Sequence, residues 1–326
     1  VSAASWNATI KNGGIIAAEG GLVLIKSAVA SSFLSQAVSA PESANQVVIK
    51  NGKMRLVVGD GSMSASKVVV DSGNNGSTLV AGEISADSAT EKAGEIHISG
   101  GDIEISSTAN VHANGALGGG EILVGGDWQG SGDMLQATTV TMESGAKIDV
   151  SATDNGNGGK AVLWSDVKNT DSLTKAHGKI LARGGPNGGD GGQVETSGGH
   201  VDILGLEVDA GSVFGTGGLW LIDPYNYTIG SSQASTIVTA LNSGTSVTVD
   251  TTADNVSYGS TGSSYGNITV SSAITKSSGG DATLTLQAHN VINVSKAISS
   301  SSNKLNIVLL ADQDGDGDGR VYIGAN

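Results

Sequence analysis

The sequence contains no cysteine, and this absence excludes disulfide bonds, thiolate metal sites and a cysteine nucleophile. Aromatic residues make up only 3% of the 326 residues, so a core has to be built from valine, isoleucine, leucine and alanine. The chain has only three prolines, as expected if most of its backbone N–H groups are committed to strand pairing. No apolar run is long enough to cross a bilayer, so we expect no membrane span.

Basic residues are also scarce. Seventeen lysines and arginines face 31 aspartates and glutamates, which gives a net charge of −14. A protein that binds nucleic acid needs a basic surface for the phosphates, so DNA and RNA are excluded as expected partners. Anionic membrane surfaces are disfavoured for the same reason.

Glycine is abundant, with 50 residues, but it lacks the strict every-third spacing of collagen. Two short phrases alternate along the chain, and each has the period-two pattern of a strand. The first is an apolar-x-apolar run, at 15–17, 84–86, 111–113, 148–150, 180–182 and 208–210. The second follows a Gly-Gly pair, at 20–25, 119–124, 158–163, 191–196 and 217–222.

From position 111 the phrases recur at roughly 30-residue intervals, which is typical of solenoids. The pattern therefore predicts an all-β parallel β-helix (solenoid) with short helical or loop excursions. We expect seven aliphatic residues to face the core, namely Ile148, Val150, Ala161, Leu163, Ile180, Ala182 and Val194. We expect Asp149, Lys160 and Glu195 to face water, because charges avoid the interior unless they are paired. A β-sandwich with glycine-rich turns is the alternative.

The chain divides into three segments by composition: a glycine-rich β-helix over 1–229, a short helical junction over 230–245, and a Ser/Thr-rich β-helix continuation over 246–326. In the junction, helical spacing from Ser235 to Leu241 is followed by Gly244, which is typical of a helix end. Residues 27–38 lack alternation and are expected to form a short helix or an irregular excursion that ends at Pro41. Between two early strands, Asn51-Gly52 indicates a tight turn.

Five stretches resemble the passenger proteins of bacterial two-partner secretion, the filamentous-haemagglutinin-like and high-molecular-weight adhesins. They are 118–130, 146–152, 156–166, 188–198 and 218–229. The resemblance is dense from about 82 to 229. It implies a right-handed parallel β-helix, export through an outer-membrane partner transporter, and adhesion at the bacterial surface. Neither a signal peptide nor the family's N-terminal secretion-domain signature is found, so we expect an internal segment of a passenger.

An acidic run near the end of the chain has carboxylates at alternate positions with glycines between them. Its candidate calcium ligands are Asp312, Asp314, Asp316 and Asp318. The run departs from an EF-hand, because it lacks a glutamate at the twelfth position and a strand-like segment follows it. The alternative is a solvated turn between two strands. We expect no other cofactor.

Six sequons occur, at Asn7, Asn75, Asn226, Asn255, Asn267 and Asn293. Chance alone generates such sequons in a chain rich in serine, threonine and asparagine. The resemblance adds a second possibility, since some high-molecular-weight adhesins are N-glucosylated.

Catalysis is a further alternative, because some β-helices cleave acidic polysaccharides. Acid–base catalysis needs two carboxyls at a fixed separation. The carboxylates expected to face outward, Asp149, Glu195 and Asp209, do not fall on one phrase of consecutive coils. We expect the isolated histidines His97, His112 and His289 to be exposed or satisfied, and we expect no enzyme.

The sequence therefore predicts a secreted or surface-exposed adhesin segment, monomeric, that binds a glycan or protein receptor on host cells. The candidate contacts are the tyrosines expected outside the core, Tyr225, Tyr227, Tyr258 and Tyr265. A structural stalk without a receptor site is the alternative function.

Overall fold

The computed structural model describes residues 9–12, 15–17, 47–50, 55–58, 62–252 and 265–324, with side chains from residue 63 onward. Its elements are β1 Thr9–Asn12, β2 Ile15–Ala17, β3 Val47–Lys50, β4 Arg55–Val58, β5 Ser62–Ser64, β6 Lys67–Asp71, β7 Ser77–Val80, β8 Glu83–Ser85, β9 Glu95–Ser99, β10 Asp102–Ile105, β11 Asn110–His112, β12 Glu121–Val124, β13 Thr139–Met142, β14 Lys147–Asp149, β15 Lys160–Trp164, β16 Leu173–Ala176, β17 Lys179–Leu181, β18 Gln193–Gly198, β19 His200–Asp202, β20 Glu207–Asp209, β21 Leu219–Pro224, β22 Tyr227–Ile229, α1 Ser231–Asn242, β23 Ser246–Asp250, β24 Ile268–Val270, β25 Ile274–Lys276, β26 Ala282–Gln287, β27 Ile292–Val294, β28 Ile298–Ser300, β29 Leu305–Leu310 and β30 Val321–Ile323. A 3-10 turn at Trp128–Gly130 interrupts the loop after β12.

These strands stack as coils of a parallel β-helix, which confirms the predicted fold class. Sheet A has the order β1-β4-β7-β10-β13-β16-β19, and sheet B has the order β2-β5-β8-β11-β14-β17-β20. Sheet C runs from β3 through β6, β9, β12, β15, β18, β21, β23 and β26 to β29. Sheet D has the order β22-β24-β27-β30, and sheet E pairs β25 with β28. All the pairings between these strands are parallel.

The length of a coil varies, while the strand pairing between coils stays in register. Lys160 bonds to Glu121 on the neighbouring coil, 39 residues earlier, whereas Asn306 bonds to Thr283 only 23 residues earlier. The extra residues lie in the loops between strands, because the strand registers remain continuous. This is why the phrases drift in the sequence although their strands stack regularly.

One hydrophobic core runs inside the coils from Met63 to Val294. It contains all seven aliphatic residues predicted to face inward, each at most 1% exposed, so that assignment is confirmed. Alternation in β15 and β18 thus follows the rule that successive side chains point to opposite faces.

The prediction that Asp149 and Glu195 face water is wrong. Both point away from the core, but Asp149 is 7% exposed and Glu195 is 0% exposed. Asp149 is compensated by Lys147, whose Nζ lies 2.9 Å from Oδ2, and by the N–H of Ser151. Glu195 is covered by the loop after β12. Lys160 does lie on the outer surface, where it pairs with Glu121.

The Gly-Gly pairs stack at one corner of successive coils. A Cβ on Gly192 would collide with the carbonyl oxygen of Gly159 on the preceding coil, and one on Gly159 would collide with that of Gly120. Glycine is therefore required here by the close approach of neighbouring backbones.

The predicted helix is present but begins earlier than expected, since α1 starts at Ser231 with Gly230 as its N-cap. Gly244 follows it with φ of 85°, the left-handed conformation that glycine permits. The helix packs on β20 and on β25, so it fills the row between sheets B and E. Sheet C continues past it without interruption, from β21 to β23.

The early turn prediction is only partly testable, because Asn51 and Gly52 lie outside the described residues. The flanking strands β3 and β4 belong to sheets C and A respectively, so they do not pair as a hairpin. The predicted excursion at 27–38 also lies outside the described residues. No helix in the described ranges has the length and apolar character needed to cross a bilayer.

Candidate functional site

Two of the four candidate tyrosines lie together on the surface. Tyr225 directly follows β21 and Tyr265 lies just before β24, and their ring centroids are 5.3 Å apart at an interplanar angle of 44°. Tyr265 is 38% exposed and Tyr225 is half-buried. The pairing of β22 with β24 brings the two loops together, although 40 positions separate the rings in the numbering. The result is a small aromatic surface with two hydroxyl groups.

The prediction that Tyr227 lies outside the core is wrong. It is 6% exposed and belongs to the hydrophobic core, because β22 alternates Tyr227 in, Thr228 out and Ile229 in. Its hydroxyl is buried without a hydrogen-bond partner, and burial raises the pKa of that hydroxyl. Tyr227 is therefore part of the core and is not a contact residue. Tyr258 lies outside the described residues.

Three of the sequon asparagines, Asn75, Asn226 and Asn293, are exposed, and Asn267 is half-buried. The Oδ1 of Asn226 accepts the N–H of Asn267, and the Oδ1 of Asn267 accepts the N–H of Val291. These amide oxygens thus connect successive coils at a corner beside Tyr225. Asn7 and Asn255 lie outside the described residues.

The acidic run forms the loop between β29 and β30. Carboxylate oxygens of Asp312, Asp314 and Asp316 lie within 4.8 Å of one another, and Asp318 is not part of this group. Oδ1 of Asp312 accepts the N–H groups of Gly317 and Gly319, and Oδ2 of Asp314 lies 3.3 Å from His289 Nε2. Three carboxylates could ligate a calcium ion. The hydrogen bonds that Asp312 accepts within the loop are equally those of a solvated turn between two strands. Calcium binding measured by calorimetry distinguishes the two interpretations.

The corner with the Gly-Gly pairs borders an open cleft of about 860 Å³ that crosses four coils. Its floor is glycine backbone. Its walls include Lys92, Glu121, Lys160, Asp190 and Gln193. These side chains carry both signs of charge, so the cleft has no strong electrostatic preference.

Sequence reasoning missed a polar ladder along the outer face of sheet C. Lys67 pairs with Glu95, and Lys160 pairs with Glu121 at 2.8 Å. The Nε2 of His97 lies 3.4 Å from Glu121 Oε1. His97 and Lys160 lower the pKa of Glu121 to about 2, against the opposing effect of burial. Alternating charges at the start of each second phrase were visible in the sequence and could have indicated this ladder.

The same face carries a covered patch that the sequence did not reveal. Leu123, Val162, Trp164 and Val167 form a hydrophobic cluster outside the core, and Trp128 and Met134 of the loop after β12 pack on it. Glu195 lies beside Val162 in the strand register and is buried under the same loop. Burial raises the pKa of Glu195 to about 7. Trp128 and Trp164 each follow a predicted strand, and this position could have indicated the patch from the sequence.

Of the three histidines expected to be exposed or satisfied, only His112 fits; His97 and His289 are half-buried, and His97 Nε2 and His289 Nδ1 are buried without a hydrogen-bond partner. His112 lies between two acidic residues, with Nδ1 2.9 Å from Asp87 Oδ2 and Nε2 2.9 Å from Glu83 Oε1. The bond to Asp87 is the largest cause that raises the pKa of His112. Both ring nitrogens are therefore occupied in bonds between coils.

Comparison of the chain with known protein families and with curated proteins finds no match.

Proposed function

We propose that this chain is a segment of a secreted or surface-bound bacterial adhesin of the two-partner secretion type, and that it attaches to a glycan or protein receptor on host cells. The observation that carries the proposal is a parallel β-helix that presents the Tyr225–Tyr265 pair on its outside. Stacked parallel coils form a rigid rod, and loops on such a scaffold supply binding contacts. Export would occur through an outer-membrane partner transporter, as the resemblance implies.

Aromatic rings with polar tips are suited to receptor contacts, since they bury large area at low cost in conformational freedom. Tyr225 and Tyr265 are held by strands β21 and β24, so the pair is pre-organised. Exposed Asn226 adds an amide beside the rings. A glycan receptor would stack on the rings and bond to these polar groups.

The arrangement of carboxylates supports a non-catalytic role. A general acid has to reach its substrate, yet Glu195, whose pKa suits such a role, is fully buried. Asp149 is also covered. The third carboxylate expected to face outward, Asp209, is engaged by Arg183, whose Nε lies 2.6 Å away.

The test is binding of the purified chain to a glycan array and to cultured host cells. We expect the wild-type chain to bind and the double variant Y225A/Y265A to lose at least tenfold in affinity. Tyr322→Ala is the matched control, because Tyr322 is 52% exposed on β30 and lies away from the pair. Failure of the wild-type chain to bind either surface would overturn the proposal and favour a stalk. Depolymerisation of a polysaccharide by the pure protein would favour an enzyme.

A further inference from the structure

The loop at residues 126–136, hereafter the clasp, closes over the outer face of sheet C. The ring of Trp164 lies directly under the clasp backbone, because a Cβ on either Gly126 or Gly130 would collide with the indole. Trp164 Nε1 donates to Gln136 Oε1 over 3.3 Å. Trp128 and Met134 complete the apolar contact. The clasp thus has a fitted position on the rod.

A single carboxyl group joins the clasp to the coil two turns further on. Oε2 of Glu195 accepts the N–H of Gln129 over 2.9 Å, and Oε1 accepts the hydroxyl of Ser197 over 2.8 Å. Gln129 has φ of 52°, a left-handed conformation that non-glycine residues seldom adopt. Glu195 therefore holds the clasp through a strained residue, and it does so without contact with water.

We propose that residues 126–136 are a pH-sensitive clasp that is favoured in its closed position while Glu195 is protonated and that opens more readily when Glu195 ionises. Protonated Glu195 keeps both contacts: one oxygen accepts the N–H of Gln129, and the O–H donates to Ser197. The ionised form has to remain in a site that excludes water, which is costly for a charge.

The surrounding charges do not remove this cost. Asp127 of the clasp raises the pKa of Glu195, while Lys160 on β15 lowers it. Lys160 is itself bound to Glu121, which His97 also contacts. On the other sides, Asp223 of β21 lies next to Ser197 in the register, and Asp166 and Lys168 follow β15. Lys160 thus remains paired with Glu121, which stays ionised, and so it does not fully compensate a charge on Glu195.

The direction of the pH effect follows from the linkage between proton binding by Glu195 and closure of the clasp. In the open state Glu195 is solvated and titrates near 4.5, whereas in the closed state it titrates near 7. The closed state binds the proton more tightly, so the contribution of Glu195 to closure is fully present below pH 4.5 and is lost as pH rises through 7. This difference corresponds to a rise of about 300-fold in the opening equilibrium. Opening would expose Trp164 and Val162 on the side of the rod.

The test is hydrogen exchange of the amides at 127–136 in the whole chain between pH 4.5 and pH 8, corrected for intrinsic exchange. We expect the opening equilibrium to rise by about 140-fold over this range, because an open Glu195 is already half ionised at pH 4.5, while amides of β15 keep a constant protection. Glu195→Gln preserves the neutral pattern of hydrogen bonds, so its clasp is expected to stay closed and independent of pH. His97→Gln is the control for the nearby imidazole that contacts Glu121, and it should retain the wild-type dependence.

A wild-type clasp whose protection does not change with pH would overturn the proposal. So would a Glu195→Gln variant that retains the wild-type pH dependence. The wild-type titration decides the question even if the variant does not fold.

Discussion

The indole Nε1 of Trp220 donates a hydrogen bond to Oγ1 of Thr196 over 3.1 Å, and both side chains are fully buried. The two residues lie on adjacent coils, on the paired strands β18 and β21. Tryptophan is tolerated inside a protein when its N–H finds a partner. Thr196 therefore allows the chain to place its bulkiest side chain in a core otherwise made mostly of aliphatic residues.

Thr196→Val keeps the shape of the side chain but removes the acceptor, and it leaves the indole N–H of Trp220 unpaired. We expect the free energy of unfolding to fall by about 1–3 kcal/mol. The measurement is denaturant unfolding followed by circular dichroism. Thr248→Val is the matched control, because Thr248 is half-buried on the outer side of β23, and it should change stability by less than about 0.5 kcal/mol. Equal losses in the two variants would contradict the role of Thr196.

Gly192→Ala places a methyl group against the carbonyl of Gly159, which is backbone and cannot move aside without separating two coils. We expect a loss of at least about 2 kcal/mol, in the range of overpacked cores. Gly280→Ala is the control, since a Cβ at Gly280 meets nothing within 4 Å. Thermal unfolding of the two variants measures the difference. A Gly192→Ala protein as stable as the Gly280→Ala protein would show that the corner can widen.

Lys276 is fully buried, and its Nζ donates to the carbonyl oxygens of Ser278, Gly279 and Ser302. Lys276→Met fills similar space but removes three charged hydrogen bonds, and it leaves the Ser278 carbonyl without its donor, whereas the carbonyls of Gly279 and Ser302 keep Asn303 Nδ2 and Ser300 Oγ. We expect the free energy of unfolding to fall by about 1.5–3 kcal/mol or more, since this range is the contribution of one hydrogen bond to a charged group. Lys296→Met, at an exposed position, is the control and should be neutral. Increased hydrogen exchange confined to 277–281 and 301–304 would locate the effect at the lysine.

His112 is expected to make the stability of the fold depend on pH. Its pKa is raised in the folded state by Asp87 and Glu83, so its contribution is fully present below the unfolded value of 6.5 and is lost as pH rises through the folded value. The stability difference between wild type and His112→Gln should therefore be larger at pH 5.5 than at pH 9. His200→Gln, at an exposed position, is the control for the loss of an imidazole. A constant difference for His112→Gln would contradict the ion pairs.

Period-two alternation was sufficient to predict which side of each strand faces the core, because a solenoid has one interior. Ile148, Val150 and Val194 are buried for that reason. Alternation gives no information about what covers the outer side. Glu195 was expected in water because the clasp that covers it belongs to a loop two coils earlier, and loop paths carry no periodic pattern.

The candidate surface was predicted in part. The sequence indicates Tyr225 and Tyr265 individually, but their contact depends on the register between β22 and β24, and the chain forms α1 and β23 between these two strands. Tyr227 was misplaced because the strand β22 begins at that residue and turns it inward. Alternation puts Tyr227 on the same face as Ile229, so the burial of this tyrosine could have been predicted from the strand pattern.

Coils of 23 and of 39 residues both pair with their neighbours in continuous parallel register. The stability of each coil then depends mainly on its contacts with the two neighbouring coils. Deleting one whole coil, residues 160–192, would join Gly159 directly to Gln193. A Gly-Gly pair would still precede the next strand at the same corner, and the rod would shorten by about 4.8 Å. Removing a single residue inside a strand would instead turn every following side chain of that strand to the wrong face. The fold therefore tolerates the loss of a whole coil, but it does not tolerate a shift in which side chains of a strand face the core.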